Sequence, residues 1–160
     1  MKSMEEDNLQ KIISPQTGKC IPIVDVPDEV FSEKILGDGV AIIPNTNEVL
    51  SPIKGVIDQV TETGHAFCIK SDDGLDIMIH IGVDTVNLKG EGFKCFVKNG
   101  DIVNVGDKLA TADIGFIKKM GYPLHTSLLI TNINSVKSMN PYYGEVVAGE
   151  TCVIKYEKNK

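Results

Sequence analysis

The chain has three histidines, and two of them stand where an imidazole could be put to work: His65 in Glu62-Thr63-Gly64-His65-Ala66-Phe67, and His80 in Met78-Ile79-His80-Ile81-Gly82-Val83-Asp84-Thr85. A neutral imidazole can act as nucleophile, hydrogen-bond donor or metal ligand near pH 7. Thr63 lies two residues before His65, so its hydroxyl can bond one ring nitrogen and select the tautomer that the other presents. Taken alone, either histidine also fits an ordinary half-exposed strand position. The third, His125, opens a strand-like run without a second ligand at useful spacing and reads as structural or solvent-facing.

The elements that must position these rings are β-strands. Gly55-Val56-Ile57-Asp58-Gln59-Val60, Asp76-Ile77-Met78-Ile79-His80-Ile81 and Thr126-Ser127-Leu128-Leu129-Ile130-Thr131 are short β-branched runs that end at turn residues. With a period of two, His80 shares a face with Asp76, Met78 and Gly82, and Ile77, Ile79, Ile81 and Val83 form the core face. The same count puts Thr63, His65 and Phe67 on one face. Gly82 leaves open the space beside His80 through which a reacting group would approach. Helical signals are confined to two short stretches, Asp28 to Ile35 and Asp113 to Met120. The expected fold is all-β, an antiparallel sandwich or barrel-like arrangement.

Two internal echoes support a duplicated architecture. Ser14-Pro15-Gln16-Thr17-Gly18 and Ser51-Pro52-Ile53-Lys54-Gly55 share an S-P-x-x-G pattern, and Asn140-Pro141-Tyr142-Tyr143-Gly144 is a looser copy. Proline without a ladder donor followed by glycine marks a strand entering a sheet edge. The Gly100 to Asp107 and Gly144 to Glu150 segments also echo one another, each with valines and a Gly-acid turn.

Composition narrows the function classes. The 160 residues with 42% apolar content suit one domain with a real core. The net charge is −6 and all 16 basic residues are lysine, so no arginine can grip phosphates or guanines bidentately, which argues against nucleic acid as a partner. Cys20, Cys68, Cys95 and Cys152 form no C-x-x-C pair and read as small buried hydrophobes in a reducing cytosol. The polar, acidic start has no signal-peptide pattern, and no apolar run reaches the ~20 residues of a membrane span. Residues 1–11 read as a flexible segment ahead of a domain over 12–160. The Met1 start and the polar tail suggest a separate soluble protein.

The string HIGVDTVNLKGEGF, His80 to Phe93, closely resembles the phosphorylation-site segment of the glucose-type enzyme IIA domains of the bacterial phosphoenolpyruvate-dependent sugar phosphotransferase system. VPDEVFSEKILGDGVAI, Val26 to Ile42, resembles that family's V-P-D-x-V-F-x-E-K-x-x-G-D-G-x-A-I block, and Glu62 to Phe67 its T-x-H-A-F segment. The resemblance runs from Ile12 to Ile154. It implies a β-sandwich of the duplicated hybrid motif type. It also implies a cytoplasmic, monomeric phosphocarrier in which His80 takes a phosphoryl group from the histidine of HPr and gives it to a cysteine of a IIB domain. His65 would be its hydrogen-bonding neighbour, supported by Thr63. Asp28 and Asp84 match acids that meet a basic residue of HPr, and Val30, Phe31, Ile35 and Val86 match an apolar docking patch. Asp28 could equally cap a helix, and Val30 and Phe31 could be plain core. No cofactor is implied for transfer, although His65 and His80 could share a zinc ion with a partner's carboxylate and a water. Glycerol kinase or permeases are regulatory targets of the kind such proteins meet. Departures are Met78, where relatives often carry an aromatic residue, Val60, and Gly121 to His125, where they have a more helical, charged stretch.

Three rivals differ in class. A duplicated-hybrid-motif zinc peptidase would use His80-x-x-x-Asp84, but its H-x-H is missing. A biotin or lipoate carrier would need a hairpin-tip lysine, which Asp107-Lys108-Leu109-Ala110 and Lys118-Lys119-Met120 only approximate. A binding module that has lost transfer would keep the same surface.

Overall fold

The structure, a computed structural model, describes residues 9–159. Fourteen strands and two short α-helices follow one another as β1 (Gln10–Ile13), β2 (Gly18–Pro22), α1 (Glu29–Ser32), β3 (Asp38–Pro44), β4 (Glu48–Leu50), β5 (Gly55–Val60), β6 (Ala66–Ser71), β7 (Asp76–His80), β8 (Phe93–Cys95), β9 (Ile102–Val103), β10 (Lys108–Ala112), α2 (Ile114–Lys119), β11 (Thr126–Ile130), β12 (Val136–Pro141), β13 (Gly144–Val146) and β14 (Cys152–Lys158). Every strand pairing among them is antiparallel. Both helices start where the sequence places a cap: Asp28 accepts from Val30 N–H and Asp113 from Phe116 N–H. Of the segment expected to be flexible, residues 1–8 lie outside the described residues, whereas Gln10 and Lys11 pair with Tyr156 and Lys155.

One large sheet, in the order β13-β2-β3-β11-β7-β6-β5-β9, packs its inner face on two three-stranded sheets, β1-β14-β12 and β4-β10-β8. Ile57, Phe67, Ile69, Ile77, Ile79, Leu128, Val40 and Ile42 from the large sheet meet Ile12, Val49, Leu109, Val153, Ile154 and Tyr156 from the small ones. Burying a side chain of this size contributes roughly 1.5–3 kcal/mol each, which makes this layer the main stabilising element. A smaller cluster on the opposite face joins Ile23, Val26, Phe31, Ala41, Val83 and Leu129, so that α1 and the turn before it cover part of the outer surface.

The sequence echoes are a structural duplication. Ser14 and Ser51 are both fully buried, and their hydroxyls donate to Gln16 O and Ile53 O at 2.7 and 2.8 Å. The two copies exchange backbone bonds, Ile13 N–H to Pro52 O and Leu50 N–H to Pro15 O. Gly149 N–H donates to Ser14 O as Gly106 N–H does to Ser51 O, each at 2.9 Å, so the second echo braces the first. A Cβ at Gly18 or Gly55 would fall 2.1 or 2.2 Å from a carbonyl oxygen of the neighbouring strand, which reserves both positions for glycine. The strands they open lie inside the large sheet, not at its edges as expected, because short β13 and β9 pair outside them.

The cysteines depart from the expected uniform burial. Cys20 is buried and its thiol pushed up to about 12 by desolvation, but Cys68 and Cys152 are half-buried and Cys95 is exposed. No helix among the described residues is long and apolar enough to cross a membrane.

Candidate functional site

His80 ends β7, and His65 immediately precedes β6, the strand paired with it. Directly opposed residues of an antiparallel sheet point to the same side. Register therefore builds one row across the outer face: Ala41 opposite Ser127, Ser127 opposite His80, and His80 opposite Ala66. Small residues on both sides of His80 leave room for its ring, while Ile79 on the same strand is fully buried in the core.

The two rings meet edge to face with centroids 4.9 Å apart, and Phe31 stacks on His80 from α1 at the same centroid distance, tilted by 51°. His65 is 6% exposed and His80 half-buried. Both open into a concavity of about 350 Å³ lined also by Asp28, Val30, Leu36, Thr61, Met78, Asp84 and Val86. Among the described residues the lining holds two acids and no lysine.

Each ring is fixed through Nδ1. His80 Nδ1–H donates to Gly82 O at 2.9 Å, which leaves Nε2 with a free lone pair. His65 Nδ1 is in short contact with the Thr63 hydroxyl, and Thr61 Oγ1 lies 3.4 Å from the same nitrogen. A threonine hydroxyl donating there places the ring proton on Nε2 of His65. The loops are joined by Ile81 N–H donating to His65 O at 2.8 Å.

Electrostatics keep the pair uncharged at neutral pH. Burial pushes His65 down to about 4, and the neighbouring His80 adds to that shift. Burial likewise holds His80 below the usual imidazole value, against the upward pull of the Gly82 carbonyl, Asp28 and Asp84. A neutral nucleophile beside a neutral donor is the state in which phosphoryl or acyl attack can begin.

The depressed pKa of His65 also predicts a pH effect on stability. Its folded value lies below its unfolded one, so the contribution is complete above pH 6.5, declines as pH falls below that and is gone once pH has passed about 4. From pH 7 to pH 5 this one group removes about 2 kcal/mol of stability. Urea unfolding of the wild type and of His65→Gln at both pH values checks it. The wild type should lose about that much more than the variant, and equal losses would rule the assignment out.

Several expectations change at the site. Alternation does not continue past His80: the strand ends there, and Gly82 takes a left-handed φ of 74° that turns its carbonyl toward the ring. Val83 consequently crosses to the outer cluster instead of the core expected for it. Thr63, His65 and Phe67 do not share a face, because residues 62–65 form a turn and Phe67 is fully buried in the core. Phe31, for which docking patch and core both stood open, is 4% exposed and is the wall behind His80. Val30, Ile35 and Val86 are exposed at 39, 65 and 51%, although Ile35 lies outside the concavity. Asp28 is both helix cap and lining residue. Thr61 and Leu36 escaped sequence reasoning; the T-x-T-G-H spacing was the available signal for Thr61, and Leu36 has none. His125 is half-buried and does not line the concavity.

The rival readings find no support. Among the described residues no group of three or more His, Cys, Asp or Glu side chains could hold a metal ion, so a catalytic zinc of the peptidase kind lacks its third ligand. Lys108 starts a strand, with its ammonium 4.9 Å from the Phe96 ring centroid and 3.9 Å from Glu48, unlike a hairpin-tip acceptor of a prosthetic group.

Comparison with known proteins agrees with this geometry. Residues 10–136 match the family described as phosphoenolpyruvate-dependent sugar phosphotransferase system, EIIA 1. The chain is 42% identical over 156 residues to a PTS system glucose-specific EIIA component of Buchnera aphidicola subsp. Baizongia pistaciae, covering 98% of this chain and 93% of that protein. It is 44% identical over 149 residues to the component of the same name from Staphylococcus aureus strain Mu50, covering 92% and 90%. The solved structure of the glucose permease IIA from Mycoplasma capricolum superimposes with a TM-score of 0.85 at 37% identity, covering 92% of this chain and 96% of that one. A neutral histidine pair at the mouth of a β-sandwich, in a sequence matched over most of its length, places the chain in the EIIA 1 family of the phosphoenolpyruvate-dependent sugar phosphotransferase system.

Proposed function

We propose that His80 Nε2 accepts a phosphoryl group from the phosphohistidine of HPr and passes it to a cysteine of the IIB domain of a sugar permease, in the cytoplasm. The observation that carries this reading is the bond from His80 Nδ1–H to the Gly82 carbonyl, which commits the ring to nucleophilic Nε2. In the first transfer the donor N–P bond breaks as the Nε2–P bond forms, and the Nδ1 proton stays in place. In the second, the Nε2–P bond breaks as sulfur takes the phosphorus, and Nε2 recovers its lone pair.

Such transfer needs in-line approach and donors for the equatorial oxygens more than any tethered nucleotide. His65, with Nδ1 occupied by Thr63, has Nε2–H to offer them. The arriving dianion finds Asp28 and Asp84 and no lysine in the lining, so partners must bring the countercharge, and it leaves readily. Val30 and Val86 at the mouth, with Ile35 nearby, form the apolar contact of a brief docking complex, and the acids speed encounter with basic-rimmed partners. A regulatory target such as glycerol kinase or a permease would meet the same face. Zinc is not needed; two imidazoles supply half a tetrahedral shell, and a partner carboxylate and water would have to complete it.

Incubation with phosphoenolpyruvate, enzyme I and HPr tests the proposal. The expected result is a gain of one phosphate that is lost in acid and kept in alkali. Absence of that gain would leave a docking module without transfer activity.

A further inference from the structure

The bond that fixes the His80 tautomer comes from a turn, and the turn has its own fastening. Thr85 is fully buried, and its hydroxyl donates to the carbonyl of Ile81, four residues back. Ile81 lies beyond the end of β7, and that hydroxyl is the one partner found for its carbonyl among the described residues. Two backbone bonds hold the same segment from outside: Ile81 N–H to His65 O at 2.8 Å, and Val83 N–H to Pro123 O at 3.1 Å. Between these ties Gly82 sits left-handed, with Thr85 Cγ2 only 2.4 Å from where a Cβ would be. Its carbonyl is thereby directed at His80 Nδ1.

We infer that Thr85 is a positioning residue for phosphoryl transfer: its hydroxyl locks the 81–85 turn so that the Gly82 carbonyl holds the His80 proton on Nδ1 and leaves Nε2 to react. Thr85 is absent from the residues lining the concavity and acts only through Ile81 and Gly82. Removing the hydroxyl orphans a buried carbonyl and takes away one of the ties that hold Gly82 at its left-handed φ of 74°. A change of φ at Gly82 tilts the Gly82–Val83 peptide, then held only by Val83 N–H to Pro123 O, and takes the Gly82 oxygen out of line with the ring. Neutral imidazole then populates both tautomers, and only one has a lone pair facing the mouth.

This inference deepens the assignment of His80 as phosphoryl acceptor and rests on it. The test compares Thr85→Val, which keeps the shape and loses the hydroxyl, with Thr85→Ser, which keeps the hydroxyl and loses the methyl. Long-range ¹H–¹⁵N correlation reads the His80 tautomer directly, and single-turnover uptake from phospho-HPr reads the rate. Thr85→Val should show a mixed tautomer and roughly tenfold slower uptake. Thr85→Ser should keep the Nδ1–H form and a rate within about twofold of wild type. A wild-type tautomer in Thr85→Val, or slow uptake without a tautomer change, would overturn the role. Should Thr85→Val fail to fold, Thr85→Ser decides alone, since loss of the Nδ1–H form there would assign the effect to the methyl. No uptake by the wild type would instead refute the acceptor assignment and leave the tautomer measurement standing.

Discussion

Replacing His80 with alanine is expected to abolish phosphate uptake while leaving the fold in place. The ring is half-buried at the end of β7, so its loss removes contacts with Phe31 and His65 but opens no cavity in the main core. The stability cost is about 1 kcal/mol, in the range of one lost aromatic pair. The chemical cost should be total, because among the described residues no other side chain lining the concavity combines an exposed lone pair with a neutral, nucleophilic nitrogen. His65 cannot substitute: it lies deeper, and its Nδ1 is engaged by Thr63. Intact mass after incubation with phosphoenolpyruvate, enzyme I and HPr should show no added phosphate, with an unfolding midpoint close to that of the wild type. Retained uptake would move the acceptor elsewhere.

A second variant, His65→Gln, separates loading from unloading. Glutamine can still accept from Thr63 and offer one amide proton, and the nucleophile on His80 is untouched. Loading from phospho-HPr should change by less than about tenfold, because HPr brings donors of its own. Onward transfer asks for more, since the charge spreading over the equatorial oxygens must be met by a donor on a stiff ring whose position is set by the 62–65 turn. A flexible amide misplaced by an ångström costs about a hundredfold there. Rapid-quench measurement of loading and of transfer to a IIB domain reads both steps. Equal slowing of the two would show that His65 merely supports the shape of the site.

Much of this was legible from residues close in sequence. The run Gly55–Val60 is the strand that its alternation announces, and Asp28 and Asp113 cap the helices that they precede. The S-P-x-x-G echoes correspond to serines making the same hydrogen bond twice. What escaped depends on partners distant in the chain. That β11 would lie between β3 and β7, setting Ser127 beside His80, follows from sheet topology and has no local signature. Nor does periodicity reveal where a strand stops, so the count carried Gly82 and Val83 past a turn that reverses their faces. Phe31 carried an open alternative between docking patch and core; it packs in the outer cluster, and its ring walls the site.

The histidines sit at one end of the β6–β7 hairpin, and at its other end Asp73 receives the Tyr156 hydroxyl at 2.6 Å and so ties the connecting turn to β14. The interval between the imidazoles is therefore dictated by a single ladder, clamped at the far side of the molecule. Docking proteins can press on the open end without prising the pair apart, and slippage by one step would swing His80 into the oily interior. Such a carrier can be handed from one protein to another over many cycles and present the same spacing each time.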